Sequence, residues 1–233
     1  MVKAPGPSRK APKGPAPSAA ATAPLAVSRV TWPRNMVIHR IHQEKYAADQ
    51  FNPGLVGNAR FSPIEDASGK PIPTLYGGAS FDCAVLETIF HDVPFAAGLK
   101  TLDMAKLAGQ MHSTVVPGSD LVLADLRSKA LRKLGIARNQ LIDTEKDQYP
   151  LTRVWAEEIY RQCADVQGLC WTSRQDDSVQ ALMLFGNRVK TNVLQQTGTS
   201  RHLFRDLTAY ADVLALAEQI GVEIVPGCMP GGL

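Results

Sequence analysis

Cysteine is scarce in this 233-residue sequence. Four are present (Cys83, Cys163, Cys170 and Cys228), with no C-x-x-C pair among them. That excludes a disulfide scaffold and the common zinc-ribbon spacings, and it suggests free thiols in a reducing, cytoplasmic setting. Long apolar runs are also missing. No stretch approaches the roughly 18 to 20 apolar residues of a membrane span. Residues 19–27 are too short and are broken by Pro24, so they read neither as a span nor as a signal peptide. Acidic residues are absent from the first 34 positions, which hold six Lys/Arg (Lys3, Arg9, Lys10, Lys13, Arg29, Arg34). The net charge of +3 therefore belongs to the N-terminal end. From Asn35 onward 19 basic residues face 22 acidic ones, a balance of about −3. Direct nucleic-acid binding by the folded body is not expected, because nothing forces a basic patch onto its surface.

Several catalytic signatures are missing too. The five histidines (His39, His42, His91, His112, His202) form no H-E-x-x-H. His39 and His42 are three apart, and on a strand that spacing points them to opposite faces. No metal is expected. There is no G-x-S-x-G elbow, no G-x-x-x-x-G-K and no G-x-G-x-x-G. Serine-hydrolase, P-loop and dinucleotide-fingerprint readings lose their support.

What is present divides into a tail and a body. Residues 1–30 are mostly Pro, Ala, Ser, Gly and Lys, too poor in large apolar side chains to offset ordering entropy. A disordered tail is expected over 1–32 and one folded domain over 33–233. Strands are expected at 36–42, 57–63, 74–76, 114–116, 121–125, 169–172, 180–185 and 222–225. The pair 114–116 and 121–125 flanks Pro117-Gly118 and reads as a hairpin. Helices are expected from a Ser80 cap to a stop at Pro94, over 126–134 closed by Gly135, from Pro150 towards Gly168, and over 207–220. Leu151, Val154, Trp155, Ile159 and Gln162 mark the inner face of the third; Tyr210, Val213, Leu214 and Ala217 mark that of the last. Many short strands mixed with three to four helices make an α+β protein rather than regular βαβ.

One helix stands out. From Cys83 to Phe90 it is apolar on most of its circumference, and Glu87 is the only charge in those eight residues. A carboxylate buried there needs a partner or a function. Arg40, Arg60 and Tyr76 also lie in apolar local sequence. Taken singly, each has an ordinary structural reading, with Glu87 as the ion-pair partner of one of the arginines. Ser173, at a strand end, reads on its own as a turn or cap residue. Together, two cations, an aromatic and a carboxylate suit a ligand with phosphates, a flat ring and a sugar.

The runs Arg40-Ile41-His42, Gly57-Asn58-Ala59-Arg60-Phe61, Leu75-Tyr76-Gly77-Gly78-Ala79-Ser80 and Ala84-Val85-Leu86-Glu87 resemble the RES domain. So does Leu169-Cys170-Trp171-Thr172-Ser173 with the strand after it. The resemblance covers roughly residues 35–190. It implies a fold similar to ADP-ribosyltransferase toxins, with short mixed strands and helices around a central cleft. It also implies a toxin of a bacterial toxin–antitoxin pair, neutralised by an antitoxin with an Xre-type helix-turn-helix domain, and homo-oligomers within such a complex. The implied substrate is NAD+, with inorganic phosphate as a co-substrate where cleavage is phosphorolytic. Water, or an acceptor protein in mono-ADP-ribosylation, are the other outcomes. By matching position the active-site set is Arg40, Arg60, Tyr76, Glu87 and Ser173. Ile41 and Phe61 depart from relatives that carry an aromatic and a Trp there.

The residue chemistry fits that implication. Breaking the nicotinamide–ribose bond develops positive charge on the ribose carbon, as in glycoside cleavage. Glu87 is expected to stabilise it, Arg40 and Arg60 to grip pyrophosphate or incoming phosphate, Tyr76 to meet the nicotinamide end, and Ser173 to bond a ribose or phosphate oxygen. A binding module without catalysis, tethered by its basic tail, remains the contrasting reading.

Overall fold

The structure is a computed structural model describing residues 24–54 and 56–227. Its largest feature is an eight-stranded mixed sheet in the order β1-β6-β7-β8-β3-β2-β5-β9. The strands are β1 Ser28–Trp32, β2 Ile38–Gln43, β3 Thr74–Gly78, β5 Gln110–Pro117, β6 Leu121–Asp125, β7 Gly168–Thr172, β8 Gln180–Phe185 and β9 Leu194–His202. A separate parallel pair joins β4 (Lys100–Asp103) to β10 (Val222–Val225). Five α-helices occur among the described residues: α1 Phe81–Leu86, α2 Ser128–Leu134, α3 Arg138–Leu141, α4 Tyr149–Gln162 and α5 Leu207–Gln219. The α+β class expected from the sequence is the class observed.

β7, β8 and β3 are apolar and buried because they lie in the middle of the sheet. Alternate residues of these strands feed two layers. Leu169, Trp171, Met183 and Phe185 join α4 in one cluster. Cys170, Leu182, Leu184 and Leu75 join Ile38 and Trp32 in another. A third cluster packs α1 and α5 around Ile41. The sheet has a seam. β2 and β3 share a single residue pair, His39 with Gly78. By contrast, β2 pairs with β5 along its whole length, from Ile38–Val115 to Gln43–Gln110.

Several expectations are corrected. The tail expected over 1–32 does not extend that far. β1 pairs antiparallel with β6, and Val27 and Trp32 are buried. Ser28-Arg29-Val30-Thr31-Trp32 alternates with a strand's period, but a Pro/Ala/Lys-rich flank outweighs five residues when composition is averaged. Residues 1–23 of that expectation lie outside the described residues. The strand expected at 57–63 is a turn, closed by an Ala59–Ser62 bridge. The expected hairpin around Pro117-Gly118 is absent: β5 pairs with β2 and β9, whereas β6 pairs with β1 and β7. β9 was not expected because it is an exposed edge strand of mostly polar residues, with Gly198 at a φ of 69°. The inner face of α4 is Tyr149, Thr152, Ala156 and Ile159, with Val154 turned outward, and the helix stops at Gln162. In α5, Ala209 and Leu216 are buried with Val213 and Ala217, while Leu214 faces outward.

Candidate active site

Two glycines of β3 allow close approach on either side, Gly77 to β2 and Gly78 to α1. A Cβ on Gly77 would stand 2.4 Å from Ile38 Cγ2, and one on Gly78 would stand 2.7 Å from Cys83 Sγ. Ser80 then caps the helix, its hydroxyl accepting the Cys83 N–H at 3.0 Å. The helix is shorter than expected. The N–H groups of Thr88, Ile89 and Phe90 all converge on the Val85 carbonyl, so the chain turns after Leu86. Ile89 and Phe90 are apolar because that turn is buried, not because the helix continues.

Glu87 is the C-cap of α1. Ser173 Oγ donates to Glu87 Oε1 at 2.7 Å. Arg60 Nη1 stands 3.8 Å from Glu87 Oε2, beyond hydrogen-bond range but close enough for attraction. The Glu87 side chain is 15% exposed and that of Arg60 4%, so only the carboxylate reaches towards solvent. Ser173 ends β7 and is fully buried. Its oxygen also accepts the N–H groups of Gln175 and Asp176, both at 3.1 Å. The turn-residue reading and the site reading of Ser173 are therefore both satisfied by one hydroxyl.

Arg60 is held from behind. The Thr152 hydroxyl donates to the Arg60 carbonyl, and Arg60 Cζ lies 5.9 Å from the centre of the Tyr149 ring. Its Nε and Nη2 are buried and have no hydrogen-bond partner among the described residues. Unpaired buried donors on a cation are costly, on the order of 1–3 kcal/mol each. The free Nε–Nη2 edge is the one that grips carboxylate or phosphate in fork geometry.

Tyr76 lies beside these residues and supports them. Its hydroxyl accepts the Phe61 N–H and donates to Ser62 Oγ, each at 3.2 Å, fixing the turn that carries Arg60. Burial pushes its phenol up to about 12, against the opposing hydrogen bonds from Ser62 and Phe61. Its ring meets Trp171 edge-on at 6.4 Å. Arg40 is not part of this cluster. Its Nη1 donates to the carbonyls of Ala48 (2.6 Å) and Ala47 (3.3 Å). Among the described residues it has no bond to Glu87, Tyr76 or Ser173. Burial lowers its pKa to about 10, with the Asp49 charge opposing, so it remains cationic at neutral pH.

Sequence reasoning missed Tyr149, Thr152 and His91. Pro150 marks the start of α4 and places Tyr149 at the helix mouth, but nothing local ties that position to Arg60, 89 residues earlier. No group of three or more His, Cys, Asp or Glu among the described residues is arranged to hold a metal ion. No described helix is long and apolar enough to cross a membrane. A concavity of about 570 Å³ on the outer face of α4, lined in part by Glu65, Glu157 and Arg188, contains none of the expected residues.

The RES domain family model matches residues 37–206, and the chain belongs to that family. All five expected residues fall within the match, whereas β1, α5 and β10 lie outside it. The fold is also that of a chain in the crystal structure of the M. tuberculosis MbcT-MbcA toxin-antitoxin complex. The TM-score is 0.60 at 15% identity, over 82% of this chain and 93% of that one. The α+β arrangement expected from the sequence agrees with this likeness. No match was found among curated proteins.

Proposed function

We propose that this protein is the toxin of a toxin–antitoxin pair and that it degrades NAD+ by cleaving the nicotinamide–ribose bond. Membership of the RES family and the likeness to a chain of a toxin-antitoxin complex support the toxin reading. The observation that carries the chemistry is Arg60, whose buried, unpartnered guanidinium edge lies beside a carboxylate it does not hydrogen-bond. A purely structural ion pair would close to about 2.8 Å. A site awaiting an anion has reason to keep the two apart.

In the reaction, the bond between the nicotinamide nitrogen and the ribose carbon breaks, and its electron pair leaves with neutral nicotinamide. No strong general acid is needed. Glu87, oriented by Ser173, stabilises the positive charge that develops on the ribose carbon. Arg60 holds the pyrophosphate or the incoming phosphate. Tyr76 fixes the Arg60 turn against the nicotinamide end, while Arg40, bonded to the Ala47 and Ala48 carbonyls, takes no direct part. Phosphate or water then attacks the ribose carbon, giving ADP-ribose 1-phosphate or ADP-ribose. The partner is an antitoxin of Xre helix-turn-helix type that covers this cleft, and the compartment is the cytoplasm, where NAD+ is abundant.

The test is to incubate the purified protein with NAD+, with and without phosphate, and to resolve the products. Nicotinamide together with either ADP-ribose product is expected. A folded, antitoxin-free protein that leaves NAD+ intact overturns the reading. ADP-ribose found only on an acceptor protein replaces it with protein ADP-ribosylation.

A further inference from the structure

Glu87 and Arg60 come from segments far apart in the chain, and their 3.8 Å separation needs something to fix it. The direct contact between them is too loose to do so. A second connection runs behind the pair. His91 follows Glu87 by four residues, just past the turn that ends α1. Its Nε2 lies 2.6 Å from the Tyr149 hydroxyl. Tyr149 is 1% exposed, and the face of its ring carries the Arg60 guanidinium. One helical turn on, Thr152 holds the Arg60 carbonyl and also bonds the Tyr149 carbonyl at 3.0 Å. The first turn of α4 thus grips Arg60 by ring and by backbone, and His91 fastens the turn of Glu87 to that grip.

The imidazole is itself oriented. His91 Nδ1 lies 2.8 Å from Asp92 Oδ1, and Asp92 Oδ2 lies 2.7 Å from Lys146 Nζ. A carboxylate can only accept, so Nδ1 carries the proton. In the neutral ring Nε2 is then the acceptor for the Tyr149 hydroxyl. The Gln175 side chain donates to the His91 carbonyl at 3.2 Å, tying in the turn that Ser173 organises.

We propose that His91 and Tyr149 are positioning residues that set the distance between Glu87 and Arg60. The proposal rests on the NAD+ reading for its activity test, but it makes a separate statement about the order of the Arg60 guanidinium. Neither residue touches the reacting atoms. Each acts through the residue it holds.

Tyr149→Phe keeps the ring under Arg60 and removes only the hydroxyl. With NAD+ as substrate, its kcat should fall about 10-fold while KM changes by less than about 3-fold. His91→Ala should fall similarly. His91→Gln, whose amide reaches roughly the position of Nε2, should recover part of that loss. The double variant Tyr149→Phe/His91→Ala should be no worse than the poorer single variant, because both break one bond. Near-UV circular dichroism gives the folded fraction by which each kcat is corrected. Unchanged kcat, or losses that multiply in the double variant, overturn the proposal. If the unmodified protein leaves NAD+ intact, the Arg60 Nε–H resonance decides, assigned by its loss in Arg60→Lys. It should be sharp and slow to exchange in the unmodified protein and broadened in Tyr149→Phe. A signal the same in both overturns the positioning role, whatever the substrate.

Discussion

Ser173 Oγ donates to Glu87 Oε1 at 2.7 Å and accepts the N–H groups of Gln175 and Asp176. One buried hydroxyl therefore joins the end of β7 to the end of α1. Its removal should have two effects. Ser173→Ala should cost about 1–3 kcal/mol of stability, because a carboxylate oxygen and two backbone donors lose their partner. Glu87→Gln should leave stability within about 1 kcal/mol, since the amide oxygen still accepts from Ser173. It should nonetheless lower NAD+ turnover by at least about 100-fold through loss of the negative charge. Urea denaturation beside product analysis separates the two. A Glu87→Gln protein that unfolds would favour a purely structural pair.

Arg60→Lys keeps the charge and loses the fork. KM for NAD+, or for phosphate if phosphate is the acceptor, should rise about 10-fold, because a single ammonium cannot reproduce two parallel N–H donors. Steady-state kinetics with each substrate varied in turn measures this. Unaltered saturation by both would remove Arg60 from the anion site.

Trp32 lies on β1 and is 1% exposed. Trp32→Ala should cost about 3–5 kcal/mol, the range for truncating a buried aromatic. Thermal or urea unfolding reads it. A loss below about 1 kcal/mol would mean that β1 contributes little to the folded domain.

Stability should fall on mild acidification. Burial drives the His112 pKa down to about 3, with the charges of His39, Arg201 and His42 acting in the same direction. His39 and His42 are also lowered, mainly by burial. Below the ordinary histidine value of about 6.5, the unfolded chain takes up protons that the folded chain refuses. The contribution is therefore fully present above that pH and is lost as pH falls from there towards 3. His112 alone contributes a slope of up to about 1.4 kcal/mol per pH unit in that window. Urea midpoints at pH 7, 6 and 5 test it, with His112→Gln expected to flatten the slope. Equal midpoints at pH 7 and 5 would contradict it.

The central strands were legible because burial on both faces writes continuous apolar runs such as Ala181-Leu182-Met183-Leu184-Phe185. Ser80 and Gly135 marked helix ends through chemistry that needs no neighbours. β9 carries no such mark: its pairing with β5 is a backbone matter and its side chains face water. Pairing partners were illegible for a related reason. Pro117-Gly118 promises a reversal, but whether β5 then meets β6 depends on β2 and β9 competing for its two edges. Glu87 was legible as a buried charge, and Arg60 as one of two partners for it. That Arg60 rather than Arg40 stands beside the carboxylate depends on Tyr149 and Thr152, whose link to residue 60 exists only after folding.

β2 and β3 meet at one rung, His39 with Gly78. Mechanically, the sheet is two plates on a single pin. Arg40 rides on one plate with β5 and β9; Tyr76 and Ser173 ride on the other with β8 and β7. Side chains rather than ladder bonds hold that joint: Ile38 packs with Leu75, and Ile41 packs with α1. Backbone amides beside the seam should therefore exchange with solvent faster than those between β3 and β8, where the pairing runs from Thr74–Phe185 to Gly78–Ala181.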